Sequence, residues 1–410
     1  MILRKKHINN FLILLPFLMV FLGEMLQISF KDTSSKIKIL SAIYMILYVF
    51  INKKTNINLT LSLALFLPVF IYGIVHSFSI KAALSDGVRY LFPILVIFYS
   101  YSIRKHYKLL FKSLIIFVLI NDLWQIINYI NWIRGVDQWF YHIHEPSGYR
   151  YFNQVSGIIR ATGIVVFFGL FGFLNGVSFF IIYKYYKGKY KKFLLTLTFI
   201  SMLLSFSYKV IGPFLLVLFF TSKNKVKLII GLLIAFVSAI IIIPKQMANI
   251  IESIVLRLQL YIFEGNSARA ESYRVMMNDM LHLNLFGRGI GSFGGPASTM
   301  YNSPVYKQVN YNWFDTPGLT TTDTFYPHLF VELGLIGGLL YILILLVPII
   351  NKVPLRKITI VYIIYFLLFF DAIFSFSLNN IAYLMISIVF IYPIIEYEKS
   401  QITDEFLKTN

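Results

Sequence analysis

Long apolar stretches separated by short polar connections make up most of the chain. A transmembrane helix needs about 20 mostly apolar residues, and runs of that kind recur along the sequence as far as position 396. The pattern predicts an all-α integral membrane protein with about twelve transmembrane helices. The predicted spans cover residues 9–28, 37–51, 58–78, 84–101, 109–130, 161–183, 193–207, 210–222, 226–243, 327–350, 357–377 and 380–396.

The region 193–222 could form one helix or two. Segment 210–222 rises only ~20 Å at 1.5 Å per residue, which is short for a ~30 Å hydrocarbon core. A single helix, however, would place the lysine-rich connection 223–227 on the side opposite to the other basic connections. The sequence therefore predicts two short helices joined by a turn at 205–209.

Basic residues concentrate in alternate connections, as the positive-inside rule requires for cytoplasmic loops. We therefore expect a single multi-pass domain, residues 1–410, in the cytoplasmic (inner) membrane, with both termini cytoplasmic. The basic connections contain Arg4, Lys5 and Lys6; Lys53 and Lys54; Arg104, Lys105 and Lys108; Lys184, Lys187, Lys189, Lys191 and Lys192; Lys223, Lys225 and Lys227; and Lys352, Arg356 and Lys357.

Composition supports the membrane assignment and excludes several classes of function. Only 13% of the residues are charged, against about 25% in an average soluble domain. The net charge of +19 would suggest a nucleic-acid partner in a soluble protein. Here the loop pattern explains that charge, and no nucleic-acid-binding signature accompanies it. The chain has no cysteine, so disulfides and thiolate chemistry are excluded.

Two connections are long, and both are expected on the external side: 131–160 and 244–326. Long connections without their own secondary structure are uncommon and usually functional. In 246–263 the apolar residues follow helical spacing opposite a polar face, which predicts a helix lying in the membrane interface. A second helix is predicted from about 268 to 285.

Ionisable residues inside predicted spans are candidates for function because burying a charge in the bilayer is costly. They are Glu24, Arg89, Asp122, Glu332 and Asp371. The alternative is that several of them form interhelical pairs or lie at the interface. Arginines also collect in or near the large external loop, at Arg160, Arg257, Arg269, Arg274 and Arg288.

An arginine cluster suggests a diphosphate ligand, because the planar guanidinium matches phosphate oxygens with two parallel hydrogen bonds. The alternative is a set of solvated charges on a large loop.

The loop contains a glycine-rich turn with Gly287, Gly289 and Gly291. It matches a dinucleotide-binding pattern only superficially, since no strand precedes it. The glycines instead suit tight backbone turns. No H-E-x-x-H motif or carboxylate cluster is present, so no metal site is expected.

The stretch 269–338 resembles the O-antigen polymerase and O-antigen ligase family of bacterial surface-polysaccharide synthesis. That family has an arginine and a helix, a G-x-G-x-G-x-F turn, an Asp-Asn or His-Asn pair, and E-x-G-x-x-G opening a helix. Here these parts correspond to Arg269, the turn 287–293, Asp323-Thr324 and the run from Glu332 to Gly337. Arg160-Ala-Thr-Gly and the turn 205–209 resemble two further family motifs. Thr324 replaces the usual Asn, and Lys209 replaces the usual Arg.

The resemblance implies a membrane glycosyltransferase similar to the GT-C type. It would polymerise polyprenyl-diphosphate-linked oligosaccharides into an O-antigen or capsule at the external face of the membrane. It implies inversion at the anomeric carbon and no cofactor or metal. Its partners would include a chain-length regulator and a flippase. Alternatives are an O-antigen ligase, which tends to have His where Asp323 stands, and a transporter of lipid-linked oligosaccharides.

The site residues follow from the same resemblance. Asp323 is expected to act as the general base, with Glu332 and His328 as weaker candidates. The diphosphate would be bound by Arg269, Arg274, Arg160 and Arg89. Two structural alternatives stay open: Asp323 as the N-cap of the following helix, and Glu332 as a buried hydrogen-bonding group beside closely packed glycines.

Overall fold

The computed structural model describes residues 2–53, 56–135, 154–155, 158–242, 244–259, 267–311, 321–350 and 359–409. The chain groups into two compact units. Unit 1 comprises Met1–Ser41 and Lys108–Gln259, and unit 2 comprises Ala42–Tyr107 and Leu260–Asn410. Of the predicted site residues, only Arg160 belongs to unit 1.

The helices that lie wholly or partly in unit 1 are α1 (Ile2–Met25), α2 (Lys31–Asn52), α5 (Tyr107–Ile133), α6 (Phe168–Tyr185), α7 (Lys191–Leu204), α8 (Tyr208–Thr221), α9 (Lys225–Ile242) and α10 (Pro244–Leu258). A two-residue antiparallel pair, β1 (Gln154–Val155) with β2 (Ile158–Ile159), precedes α6. Helix α6 packs against α7 and α8 and is almost wholly buried.

The remaining helices belong to unit 2: α3 (Ile57–Val75), α4 (Ile80–Ile103), α11 (Ala268–Leu281), α12 (Pro296–Met300), α13 (Val305–Gln308), α14 (Phe325–Ile350), α15 (Thr359–Phe374), α16 (Ile381–Ile386) and α17 (Ile391–Thr409). Helix α14 packs against α3, α4, α11 and α15. It therefore connects the membrane helices of this unit with the connection that precedes it.

Seven helical stretches among the described residues are long and apolar enough to cross a membrane. Large apolar side chains cover their outer surfaces; Ile51 and Ile57, for example, are 78% and 82% exposed. Such a surface suits lipid and not water. The prediction of an all-α, membrane-embedded protein is confirmed, whereas the count of about twelve spans stays a prediction.

A helix lies at each of the twelve predicted positions, including two separate helices on either side of residues 205–207. Two predicted spans differ in their course. Residues 161–167 do not belong to α6, because Val166 adopts a left-handed conformation (φ 60°) that a helix cannot contain. The predicted span 380–396 falls on two helices, α16 and α17, with a 3-10 helix at Ile388–Phe390 between them. Helices α10 and α11 lie where the two helices of the connection 244–326 are predicted, whereas their placement at the membrane interface on the external side stays a prediction. Most of the connection 131–160 lies outside the described residues.

Candidate functional site

The glycine-rich turn is held by the backbone of a kinked helix. Helix α14 is interrupted at Gly334, which has φ 69° and ψ −176°. The kink frees helical N–H and C=O groups on both sides, and residues of the turn bind them. Arg288 N–H donates to the Val331 carbonyl at 2.8 Å, and Ile336 N–H donates to the Leu285 carbonyl at 3.0 Å.

Gly287, Gly289 and Gly291 all have positive φ, at 80°, 93° and 78°. A Cβ on Gly287 would collide with the Glu332 carbonyl, and one on Gly291 would lie 2.6 Å from the Ala82 backbone. The turn therefore requires glycine for both conformation and close approach. Its role in this structure is to bring backbone against α4 and α14.

Glu332 lies under this turn and is fully buried. One carboxylate oxygen accepts a hydrogen bond from Phe293 N–H at 3.0 Å, and the other accepts one from the Tyr90 hydroxyl at 3.1 Å. These contacts match the structural alternative considered for Glu332. The carboxylate joins α4, the turn and α14, and among the described residues it has no exposure through which a solvated sugar could reach it.

His328 occupies the preceding turn of α14 and is also fully buried. Its Nδ1 lies 2.7 Å from the Phe293 carbonyl, so Nδ1 carries a hydrogen and donates it. The imidazole stacks on Tyr90 with ring centroids 5.0 Å apart. Like Glu332, this histidine is placed to organise the turn.

Arg89 is half-exposed and pairs with a buried acid on the same helix. Its Nε lies 3.5 Å from an oxygen of Asp86, which is fully buried, while 39% of the Arg89 side chain is exposed. The guanidinium therefore remains accessible to an anion.

Arg269 and Asp323 form an exposed ion pair between α11 and the residues just before α14. The guanidinium and carboxylate are 3.3 Å apart, with 37% and 61% of the two side chains exposed. The second Asp323 oxygen accepts a hydrogen bond from the Thr321 hydroxyl at 2.9 Å. Asp323 therefore bonds Arg269 and Thr321, whereas the alternative required it to bond an N–H of α14. The structure brings together these two predicted site residues.

Arg274 lies one turn further along α11. It donates to Glu271 at 2.9 Å and to the Asn310 carbonyl at 3.3 Å, with about half of its side chain exposed.

Tyr273, on the same helix, is half-buried, and its hydroxyl donates to the Ile373 carbonyl. Burial raises the pKa of Tyr273, so the phenol stays protonated and fixes α11 against the end of α15.

Two further contacts stabilise the turn. Arg288 binds Asp279 with two hydrogen bonds, at 2.7 and 2.8 Å, and these bonds raise the pKa of Arg288. The Tyr306 hydroxyl accepts from Gly294 N–H at 2.9 Å. Burial raises the pKa of Tyr306 to about 12, which keeps the hydroxyl protonated.

Arg160, in unit 1, is buried. Its guanidinium donates to the carbonyls of Ser205 and Phe206, at 3.1 and 2.7 Å, and lies 3.2 Å from the centroid of the Phe168 ring. Phe206 has φ 47°, so Arg160 stabilises the strained turn between α7 and α8. Its role in diphosphate binding stays a prediction.

The other ionisable residues predicted inside spans make polar contacts within the protein. Glu24 pairs with Lys38 at 2.7 Å. Asp122 accepts from Asn175 at 3.1 Å. Asp371 accepts from the Ser375 hydroxyl. Their environments fit the structural alternative.

The exposed pair of Arg269 and Asp323 can meet a solvated substrate, whereas the buried cluster around Glu332 positions the backbone.

Sequence analysis missed Asp86 and Tyr90 as members of that cluster, since 242 residues separate Tyr90 from its partner Glu332. No protein-family model, no curated protein and no solved structure matches this chain.

Proposed function

We propose that this protein is a membrane glycosyltransferase that polymerises lipid-diphosphate-linked oligosaccharides into a surface polysaccharide. The observation that carries the proposal is the exposed Arg269–Asp323 pair beside a turn stabilised by the helix kink. One residue of the pair binds an anion and the other accepts a proton. Both roles are needed to transfer a sugar from a diphosphate to a hydroxyl.

The reaction breaks the bond between the anomeric carbon and the diphosphate oxygen. Negative charge then develops on the leaving diphosphate, and arginines directed at that charge stabilise the transition state. Arg269 and Arg274, both partly exposed on α11, and Arg89 on α4 supply guanidinium groups within unit 2. Asp323 accepts the proton of the attacking hydroxyl while the new glycosidic bond forms on the opposite face, which inverts the anomeric configuration.

The Arg269–Asp323 ion pair also sets the order of donor binding and proton transfer. Before the donor binds, Arg269 neutralises Asp323. A diphosphate carries more negative charge than a carboxylate, so it replaces Asp323 as the partner of the Arg269 guanidinium. The Asp323 carboxylate is then free to accept a proton only when the donor lipid is present, which reduces transfer to water.

The first test is a size and location analysis of surface glycan in a strain that lacks this protein. A polymerase predicts single repeat units displayed at the surface without long chains. Long chains retained on the lipid carrier would identify a ligase. Repeat units held inside the cell would identify a transporter.

The second test isolates the diphosphate interaction. Arg269→Ala should weaken binding of a polyprenyl-diphosphate oligosaccharide by about tenfold or more, because a charge-assisted bond to an exposed anion contributes ~1.5–3 kcal/mol. Lys307→Ala removes an exposed cation from the same connection and should leave binding unchanged. Equal binding by wild type and Arg269→Ala would exclude the diphosphate role.

A further inference from the structure

We propose that Asp86, His328 and Glu332 form a binding site for one divalent transition-metal ion of the zinc type, which fixes the glycine-rich turn to α4 and α14. The three side chains are fully buried. One ligand atom from each lies within 4.8 Å of the other two. This inference does not depend on the proposed transferase activity.

The histidine has the arrangement of a metal ligand. Its Nδ1–H donates to the Phe293 carbonyl at 2.7 Å and lies 3.4 Å from a carboxylate oxygen of Glu332, and its Nε2 is buried without a hydrogen-bond partner among the described residues. A metal-bound histidine almost always donates its other N–H to a carbonyl or carboxylate, which fixes the tautomer and directs the lone pair at the ion. An unpartnered, buried lone pair otherwise destabilises the folded state.

The two carboxylates complete the donor set. Two groups face the Asp86 carboxylate: the backbone N–H of Ala297 and the Arg89 guanidinium, 3.5 Å from one oxygen. Neither Asp86 oxygen has a hydrogen bond of good geometry within the described part of the chain. Glu332 is oriented by Phe293 N–H and the Tyr90 hydroxyl. Ligating carboxylates are oriented by outer hydrogen bonds of this kind.

The backbone of Gly295 packs directly against two of the three side chains. A Cβ on Gly295 would collide with an oxygen of Asp86 and would lie 2.9 Å from Cε1 of His328. In a zinc site with bonds of ~2.1 Å the ligand atoms are about 3.4 Å apart, so no pair must close by more than ~1.4 Å.

The charges also agree with a divalent cation. Two carboxylates neutralise it, and neutral imidazole suits zinc and similar ions. Asp86 lies six residues after the start of α4 and His328 three residues after the start of α14. Asp86 and His328 therefore lie within the first two turns of their helices, next to the half-exposed Arg89, and Glu332 lies one turn further along α14.

The test uses the full-length protein, purified in detergent through a histidine-free tag and stripped of metal with a chelator. Titration with Co²⁺ should give one bound ion per chain and the visible absorption of a nitrogen-ligated site. Asp86→Asn and His328→Gln should each weaken binding more than 100-fold. Tyr90→Phe, which removes an outer hydrogen bond to Glu332, should weaken it about 10–100-fold.

His282→Gln is the matched control, because His282 is an exposed histidine of the same unit whose Nδ1 lies 2.8 Å from the Asn278 carbonyl. It should bind Co²⁺ like wild type. Equal binding by wild type and His328→Gln would overturn the proposal. So would folded wild-type protein that binds no Co²⁺, which would identify His328 as an imidazolium between two carboxylates. The wild-type titration tests the proposed metal site even if a variant fails to fold.

Discussion

Asp323 keeps most of its side chain exposed, whereas Glu332 and His328, the other two acid–base candidates, are enclosed by protein. A general base must come within hydrogen-bond distance of the hydroxyl that it deprotonates. Only Asp323 meets that requirement for a sugar in solvent. The buried pair acts on the glycine-rich turn through Phe293 and Tyr90.

Asp323→Asn should slow polymerisation about 100-fold or more, because general-base catalysis typically contributes 10²–10⁴. The amide keeps the size of the side chain and leaves the exposed turn intact. The measurement is the rate of chain elongation on purified lipid-linked repeat units. Glu252→Gln removes another exposed carboxylate and should elongate chains at the wild-type rate. A normal rate for Asp323→Asn would remove it from the mechanism.

Two of the predicted diphosphate-binding arginines differ in environment: Arg160 is buried, whereas Arg269 is partly exposed. Arg160→Ala should lower the free energy of unfolding by about 2 kcal/mol or more, since it deprives two backbone carbonyls of a charged donor. Arg269→Ala breaks an exposed pair and should cost less than ~1 kcal/mol. Thermal unfolding in detergent compares the two. If Arg160→Ala unfolds like wild type, the proposed structural role is wrong.

Among the secondary-structure elements, α14 shows most clearly what the sequence can and cannot predict. Its apolar run gives its position to within two residues at the N-terminal end. The resemblance also predicts the motif from Glu332 to Gly337. Neither indicates that Gly334 leaves the helical conformation, because an isolated glycine in a helical pattern is also compatible with an unbroken helix.

Gly334→Ala should disrupt the turn. The backbone conformation at Gly334 is one that essentially only glycine adopts, so alanine costs ~1–3 kcal/mol in strain, and its Cβ would meet the Leu285 carbonyl and Gly287 N. Gly212→Ala is the control: its Cβ would have no neighbour within 4 Å, and alanine favours the helix by ~1 kcal/mol. The melting temperature should fall for Gly334→Ala and stay equal or rise for Gly212→Ala.

For the whole molecule, hydrophobic patterning was sufficient to predict a helical membrane protein. It could not predict the cluster of Asp86, His328 and Glu332, since these side chains meet only through packing of α4 against α14, more than 230 residues apart in sequence. The expectation of no metal site rested on local spacing and on the family resemblance, and neither registers side chains that meet only in the folded chain. By contrast, Arg269 and Asp323 could both be predicted as site residues, because the motifs that carry the family resemblance include them.

The predicted orientation can be tested directly, because the chain has no cysteine and single cysteines can be introduced without further changes. Met300→Cys, at a site 75% exposed, should react with a membrane-impermeant maleimide in intact cells. Lys189→Cys, exposed in a basic connection, should react only after the membrane is permeabilised. The reverse pattern would place the termini on the outer side.

The hydrogen bonds between the glycine-rich turn and α14 have a consequence for motion. Arg288, Gly289 and Ile290 donate their N–H groups to carbonyls of α14 and α3, so these amides are protected as those of a membrane helix are. Hydrogen exchange of the Arg288 and Gly289 amides should require local unfolding of α14, and exchange of the Ile290 amide local unfolding of α3, on a timescale far slower than loop fluctuation. The turn is then too rigid to open as a lid, and under the proposed function a growing glycan chain would have to slide past it.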